Sequence, residues 1–162
     1  MTDTKNLSCC FTGHRKIPPE KFDEISQRLE NTIIELFNSG YIDFYSGGAL
    51  GFDTLAAQII LKYKTKHPNI RLILVLPCKN QARRWSEGDK LIYESIKNGA
   101  DKIIYTADAY FRGCMHKRNR YLVEHSCLCV CYLNKSTGGT AYTVNYAAGK
   151  HIEILNIAYN HK

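Results

Sequence analysis

The six residues Arg71-Leu72-Ile73-Leu74-Val75-Leu76, closed by Pro77, constrain this chain more than any other feature. After Arg71 the run shows no polar alternation, so a strand built from it must be covered on both faces. Such burial belongs to parallel sheets with helices on either side, and the rest of the chain repeats the theme. Leu7 to Thr12 reads as a first strand ending at Gly13. Phe22, Ile25, Leu29, Ile33, Leu36 and Phe37 follow at steps that place them on one helical face. Ile42 to Tyr45 is a second strand, and Leu55, Ala56, Ile59, Ile60 and Tyr63 return to helical spacing. After the aliphatic run a helix is predicted over Gln81 to Asn98, then a strand at Lys102 to Tyr105 and a helix around Lys117 to His125. Cys127 to Leu133, Thr140 to Ala148 and His151 to Leu155 complete the series as strand, helix and strand.

Six strand–helix alternations without linker or repeat predict a single α/β domain over residues 1–162, Rossmann-like and doubly wound. Its sheet should be mainly parallel, with helices on both faces. A length of 162 residues suits one core. Apolar residues at 44% and charged residues at 23% exclude a disordered or fibrous chain. The longest apolar run, Cys127 to Leu133, is too short to cross a bilayer. Met1 to Leu7 lacks the basic and apolar regions of a secretory signal. A cytoplasmic protein is therefore expected, away from membranes, with its seven cysteines reduced.

In open parallel sheets ligands lie beyond the carboxyl ends of the strands, and the unusual residues collect there. Ser46-Gly47-Gly48-Ala49-Leu50-Gly51-Phe52-Asp53 joins the second strand to a helix. Its glycines let a backbone approach a ligand closely, and amides at a helix start favour anions. Ser46 stands where a dinucleotide fingerprint has its first glycine, and no Gly-Lys-Ser/Thr is present for a Walker loop. Thr12-Gly13-His14-Arg15 ends the first strand, and Arg15 can fork two hydrogen bonds to a phosphoryl group. Thr137-Gly138-Gly139-Thr140 opens the helix after the fifth strand. Lys117-Arg118-Asn119-Arg120 is predicted to begin a helix of its own. A net charge of +7 suits an anionic ligand. Trp85, the sole tryptophan, follows Arg83-Arg84 and is suited either to stacking on a base or to packing on the sheet.

No metal and no cofactor are expected. Alternate strand residues lie roughly 6.5 Å apart, whereas two thiolates on a zinc bound at about 2.3 Å sit under about 4 Å apart. Cys127, Cys129 and Cys131 are accordingly expected as core residues on one face. The six histidines show no ligand spacing.

Taken together, these motifs resemble the SLOG superfamily, the Rossmann-like group that contains DNA-processing protein A and the Lonely Guy phosphoribohydrolases. They are most similar to its small stand-alone YpsA-like branch. The resemblance runs from Cys10 to about Leu155. It implies a nucleotide or nucleotide-derived, ADP-ribose-like ligand over the strand ends. Gly13, Arg15, Gly47, Gly48, Asp53, Arg118, Gly139 and Thr140 would line that site, with His14, Ser46, Gly51, Asn119, Gly138 and Thr143 beside them. The glycine pair would admit the phosphate and Arg118 would neutralise it. Asp53 would accept from ribose hydroxyls or hold the loop, and it is the one motif candidate for a catalytic role. Gln81, Arg84 and Trp85 are further wall candidates.

Three functions follow: nucleotide binding or sensing, hydrolysis of a nucleoside monophosphate as in Lonely Guy enzymes, and single-stranded DNA binding as in DNA-processing protein A. Lonely Guy enzymes carry a Glu after the last glycine turn, but no Asp or Glu occurs here between Glu124 and Glu153. Binding without turnover is therefore the favoured expectation. Most of the eleven tyrosines fall at core-like positions, which weighs against the stacking platforms of single-strand binders. Nucleic acid and a homo-oligomer both stay open as partners.

Overall fold

Residues 7–159 are described by the computed structural model, in which six strands form one wholly parallel sheet. The expectation about a secretory signal rests on residues 1–7, of which 1–6 lie outside the described residues. The strands are β1 (Ser8–Gly13), β2 (Asp43–Ser46), β3 (Arg71–Leu76), β4 (Lys102–Tyr105), β5 (Leu128–Tyr132) and β6 (Glu153–Asn156). The helices are α1 (Phe22–Asn38), α2 (Phe52–Lys64), α3 (Glu87–Gly99), α4 (Cys114–Glu124) and α5 (Gly139–Gly149). The expected doubly wound α/β class is the one observed.

The strand order is β4-β3-β2-β1-β5-β6. From β1 the chain steps outward through β2 and β3 to β4, then returns past β1 to β5 and steps the other way. Right-handed crossovers force helices onto opposite faces for the two directions. Residues of α1, α2 and α3 accordingly share one apolar cluster, and those of α4 and α5 share the other. The β3 run divides as its pleat requires. Leu72, Leu74 and Leu76 enter the first cluster, while Ile73 and Val75 enter the second. The strand order reverses between β1 and β5, and there the carboxyl ends diverge into a crevice.

Two helix starts depart from expectation. The helix predicted from Gln81 begins only at Glu87, because Ser86 caps it by accepting from the Asp89 amide at 3.1 Å. Ser86-x-x-Asp89 is a capping signal in the sequence. The preceding residues instead form turns, with Arg83 and Trp85 amides donating to the Asn80 and Ala82 carbonyls. The second departure is α4, which begins at Cys114 after Gly113 rather than at Lys117, so Arg118 lies in its second turn. Cys129 and Cys131 share a core face, as expected, and Cys10 joins them there. Cys127 does not: it precedes β5, packs against the first cluster and donates its thiol to the Ser8 carbonyl. Most of the tyrosines pack in or against the two apolar clusters, as expected. Tyr93 and Tyr132 are buried, Tyr110 and Tyr159 are exposed, and the others are half-buried. Among the described residues, no helix is long and apolar enough to cross a membrane and no group of His, Cys, Asp or Glu could hold a metal ion.

Candidate functional site

A cleft of about 210 Å³ opens at the switch point, lined by residues from four parts of the chain. Thr12 to Arg15 come from the end of β1, Ala49 and Asp53 from the β2–α2 junction, Met115, Arg118 and Asn119 from α4, and Gly139 and Thr140 from α5. Eight residues expected at a ligand site are therefore brought together: Gly13, His14, Arg15, Asp53, Arg118, Asn119, Gly139 and Thr140. The remaining six, Ser46, Gly47, Gly48, Gly51, Gly138 and Thr143, do not line the cleft. Thr12, Ala49 and Met115 line the cleft without having been expected among the site residues. Met115 had a signal, since it lies three residues before Arg118 and hence on the same helix face.

Arg118 dominates this space. It is 4% exposed, yet it lies in a run of charge that solvates easily elsewhere: Lys117 is exposed and Arg120 half-buried. One guanidinium nitrogen donates to the Gly47 carbonyl, Nε donates to Asn119 Oδ1 at 2.7 Å, and Nη2 approaches Met115 Sδ at 3.8 Å. Burial lowers its pKa, with the Asp53 carboxyl opposing that shift, but a guanidinium in a protein keeps its proton. The cleft therefore contains a fixed, largely desolvated positive charge.

At Gly47 the absence of a side chain has a visible use. A Cβ there would lie 2.7 Å from Arg118 Nη1, so the glycine makes room for the guanidinium. Gly48 lies behind it, with Gln81 Nε2 3.5 Å from its carbonyl. Ser46 locks the same loop from below. Its hydroxyl donates to the Asp53 carbonyl at 3.1 Å and accepts from the Gly48 amide at 3.4 Å.

Asp53 sits in the first turn of α2 and is 5% exposed. Its Oδ2 accepts from the Ala49 amide at 3.3 Å, which holds the loop, while Oδ1 is buried without a hydrogen-bond partner. Burial pushes the carboxyl up to about 6, against the pull of Arg118, the Ala49 amide and Arg15. The sign of the consequence follows from linkage. Between about pH 4 and 6 the folded protein keeps a proton that the unfolded chain, at 3.8, has released. Stability contributed by this group is therefore full below pH 4 and falls as pH rises to 6, by up to about 3 kcal/mol. Asp53→Asn is expected to abolish that component. Urea denaturation of both proteins at pH 4, 5, 6 and 8 checks it. Parallel profiles for the two proteins would contradict it.

The other walls contribute donors. Gly138 precedes α5 and gives it no side-chain cap, so the first amides, at the cleft-lining Gly139 and Thr140, have no intrahelical partner. Thr143, fully buried one turn on, donates to the Gly139 carbonyl at 2.9 Å and stiffens that turn. His14 Nε2 accepts from the Asn134 amide at 3.0 Å, which leaves its ring proton on Nδ1. Burial and Lys135 lower its pKa, so His14 is neutral near pH 7 and Arg15, which is exposed, supplies the second charge. Asp53 is the one carboxylate among the lining residues.

Fold and cleft together define a Rossmann-like α/β protein with a cationic, amide-lined crevice at the switch point of its sheet. Residues 10–159 match the YpsA family, described as the YspA SLOG family, and the chain belongs to it. The uncharacterised SPbeta prophage-derived protein YoqJ of Bacillus subtilis (strain 168) is 34% identical over 116 residues, 64% of this chain and 68% of that protein. The UPF0398 protein BH1768 of Halalkalibacterium halodurans is 30% identical over 126 residues, 76% and 67% of the two chains. Among solved structures, DNA processing protein A from Helicobacter pylori superposes with a TM-score of 0.65 at 22% identity. Its counterpart from Streptococcus pneumoniae gives 0.64 at 17%. Both superpositions cover 93% of this chain but only 64% and 50% of those longer chains. At these identities the likeness is one of fold.

Proposed function

We propose that this protein binds a nucleotide or nucleotide-derived molecule through its phosphate, held in the cleft between Arg118 and the start of α5. The observation that carries the reading is the burial of Arg118. Keeping a guanidinium 4% exposed in a chain this size is costly unless something anionic meets it, and Asp53, the carboxylate that acts on it, makes no ion pair with it within 4 Å. The uncapped amides of Gly139 and Thr140 add the dipole that phosphates favour at a helix start. These groups hold substrate and transition state alike, which supports binding rather than rate acceleration. No acidic residue lies in the first turn of α5, where the related hydrolases place theirs.

Calorimetry with AMP, ADP-ribose and NAD tests the reading, together with chromatography for released base. Saturable binding without base release is the expected result. Turnover within the enzymatic range of roughly 1–10³ s⁻¹, abolished by Asp53→Asn, would replace it with a phosphoribohydrolase. A second reading, single-stranded DNA, draws support from the basic residues flanking the cleft. Lys16 and Lys135 line a groove on the His14 side, and Arg83 and Arg84 line a cavity on the other. The H. pylori structure concerns the single-stranded DNA binding mode of that protein. Binding of oligonucleotides but not of mononucleotides would favour this reading.

A further inference from the structure

The phosphate cleft is too small for a whole nucleotide. Its volume of about 210 Å³ falls below the roughly 300–1,000 Å³ of small-molecule sites. Met115, however, lines a second cavity of about 470 Å³ as well, so the two adjoin at one side chain. The second cavity exists because α3 starts late: residues 78–85 form turns across the end of β3 instead of helix. Its walls are Cys78, Gln81, Arg83, Arg84, Trp85 and Tyr110, with Asn80 and Met115 beside them.

We infer that this second cavity is a nucleobase site, built to take a planar nitrogen heterocycle whose ribose phosphate lies against Arg118. The inference rests on the phosphate reading above and adds where the other half of the ligand goes. An indole, a phenol and a thioether in one cavity suit a flat, polarisable ring. Trp85 meets Tyr93 edge-on, with ring centroids 5.0 Å apart and planes at 72°, which fixes the indole against the core. Tyr110 lines the same cavity and is 64% exposed, so its ring has room to lie over a bound base. Arg83 and Arg84 offer guanidinium planes and donors to ring nitrogens. Gln81 donates through Nε2 to the Tyr93 hydroxyl at 3.2 Å and reaches the Gly48 carbonyl, so its Oε1 must point elsewhere. That oxygen is buried without a partner, so a small turn of the amide would offer a base amino group an acceptor whose hydrogen bond is still unmade.

Because Trp85 is the only tryptophan, its fluorescence reports on this cavity alone. Titrations of the full chain with AMP and with ribose 5-phosphate separate the two halves of the site. AMP is expected to quench the indole and to bind about 5- to 150-fold more tightly than ribose 5-phosphate, the range of one base–aromatic stack. Ribose 5-phosphate should leave the emission unchanged. Trp85→Leu should erase the surplus affinity of AMP without altering that of ribose 5-phosphate. Since Trp85 also packs on the core, Tyr110→Ala serves as the second variant: exposed in the fold, it should lower AMP affinity alone. Equal affinities with unmoved fluorescence would overturn the base site and leave the phosphate reading standing. Failure of both compounds to bind would overturn the two together.

Discussion

Arg118→Ala is expected to weaken AMP binding by about 2–5 kcal/mol, on the order of 30- to 5,000-fold. The size of the effect follows from desolvation. A charge already removed from water interacts with a phosphate through little intervening solvent, so its loss is felt almost unscreened. An arginine on a solvated face would give less than about 0.5 kcal/mol, and the two ranges do not overlap. The substitution also unpairs the Gly47 carbonyl and Asn119 Oδ1, which Arg118 now satisfies. Thermal denaturation of the variant must therefore accompany the calorimetry. Arg15→Ala provides a second variant without that burden, because Arg15 lines the cleft but is exposed. It is expected to lose a smaller part of the affinity, in a salt-dependent way.

Gly51→Ala should have the largest effect on stability, a loss of about 3–5 kcal/mol. Gly51 precedes α2 with φ +78° and ψ −119°, a combination that disfavours any side chain. Its added Cβ would also run into the backbone carbonyls of Arg15 and His14. Neither neighbour can yield easily, since the His14 carbonyl accepts the Phe52 amide at 3.2 Å and ties the end of β1 to the start of α2. The strain would therefore fall on two walls of the cleft at once. Gly40→Ala is the control: its φ is +92°, but nothing lies within 4 Å of the added carbon. A cost of only about 1 kcal/mol is expected there. Equal losses for the two variants in urea denaturation would show that backbone conformation alone, and not the contact with Arg15, governs Gly51.

The architecture was legible because parallel sheets leave a strong mark in a sequence. Leu72 to Leu76 has no polar face, and each strand ends at a glycine, a proline or a loop with polar residues. Helix starts were harder. Gln81 to Trp85 has helix-forming composition, yet Ser86 and Asp89 hold the start of α3 downstream. Local capping outweighed intrinsic propensity. That displacement opens the cavity at Trp85, which depends on successive turns and leaves no periodic trace.

The cleft was legible in part, for a related reason. Gly13, Arg15 and Gly139 occupy strand ends of one sheet, so topology alone brings them near each other. The relation of Gly47 to Arg118 spans 71 residues and is a matter of packing. A glycine kept small for a guanidinium looks, in the sequence, like a glycine kept small for a phosphate. Likewise, the run Lys117 to Arg120 gives no sign that two of its members are buried and two are not. The turn of α4 that separates them is set by Gly113, outside the motif.

The central claim is that a phosphate sits between Arg118 and the first turn of α5, and nuclear magnetic resonance tests it where it is made. With ¹⁵N-labelled protein titrated with AMP, the backbone amides of Gly13, Gly139 and Thr140 and the Arg118 Nε–H should shift together along one saturable curve. The amides of Gly40 and Gly149, which do not line the cleft, should stay still. Saturable shifts confined to other surfaces, with those four signals unmoved, would contradict the account.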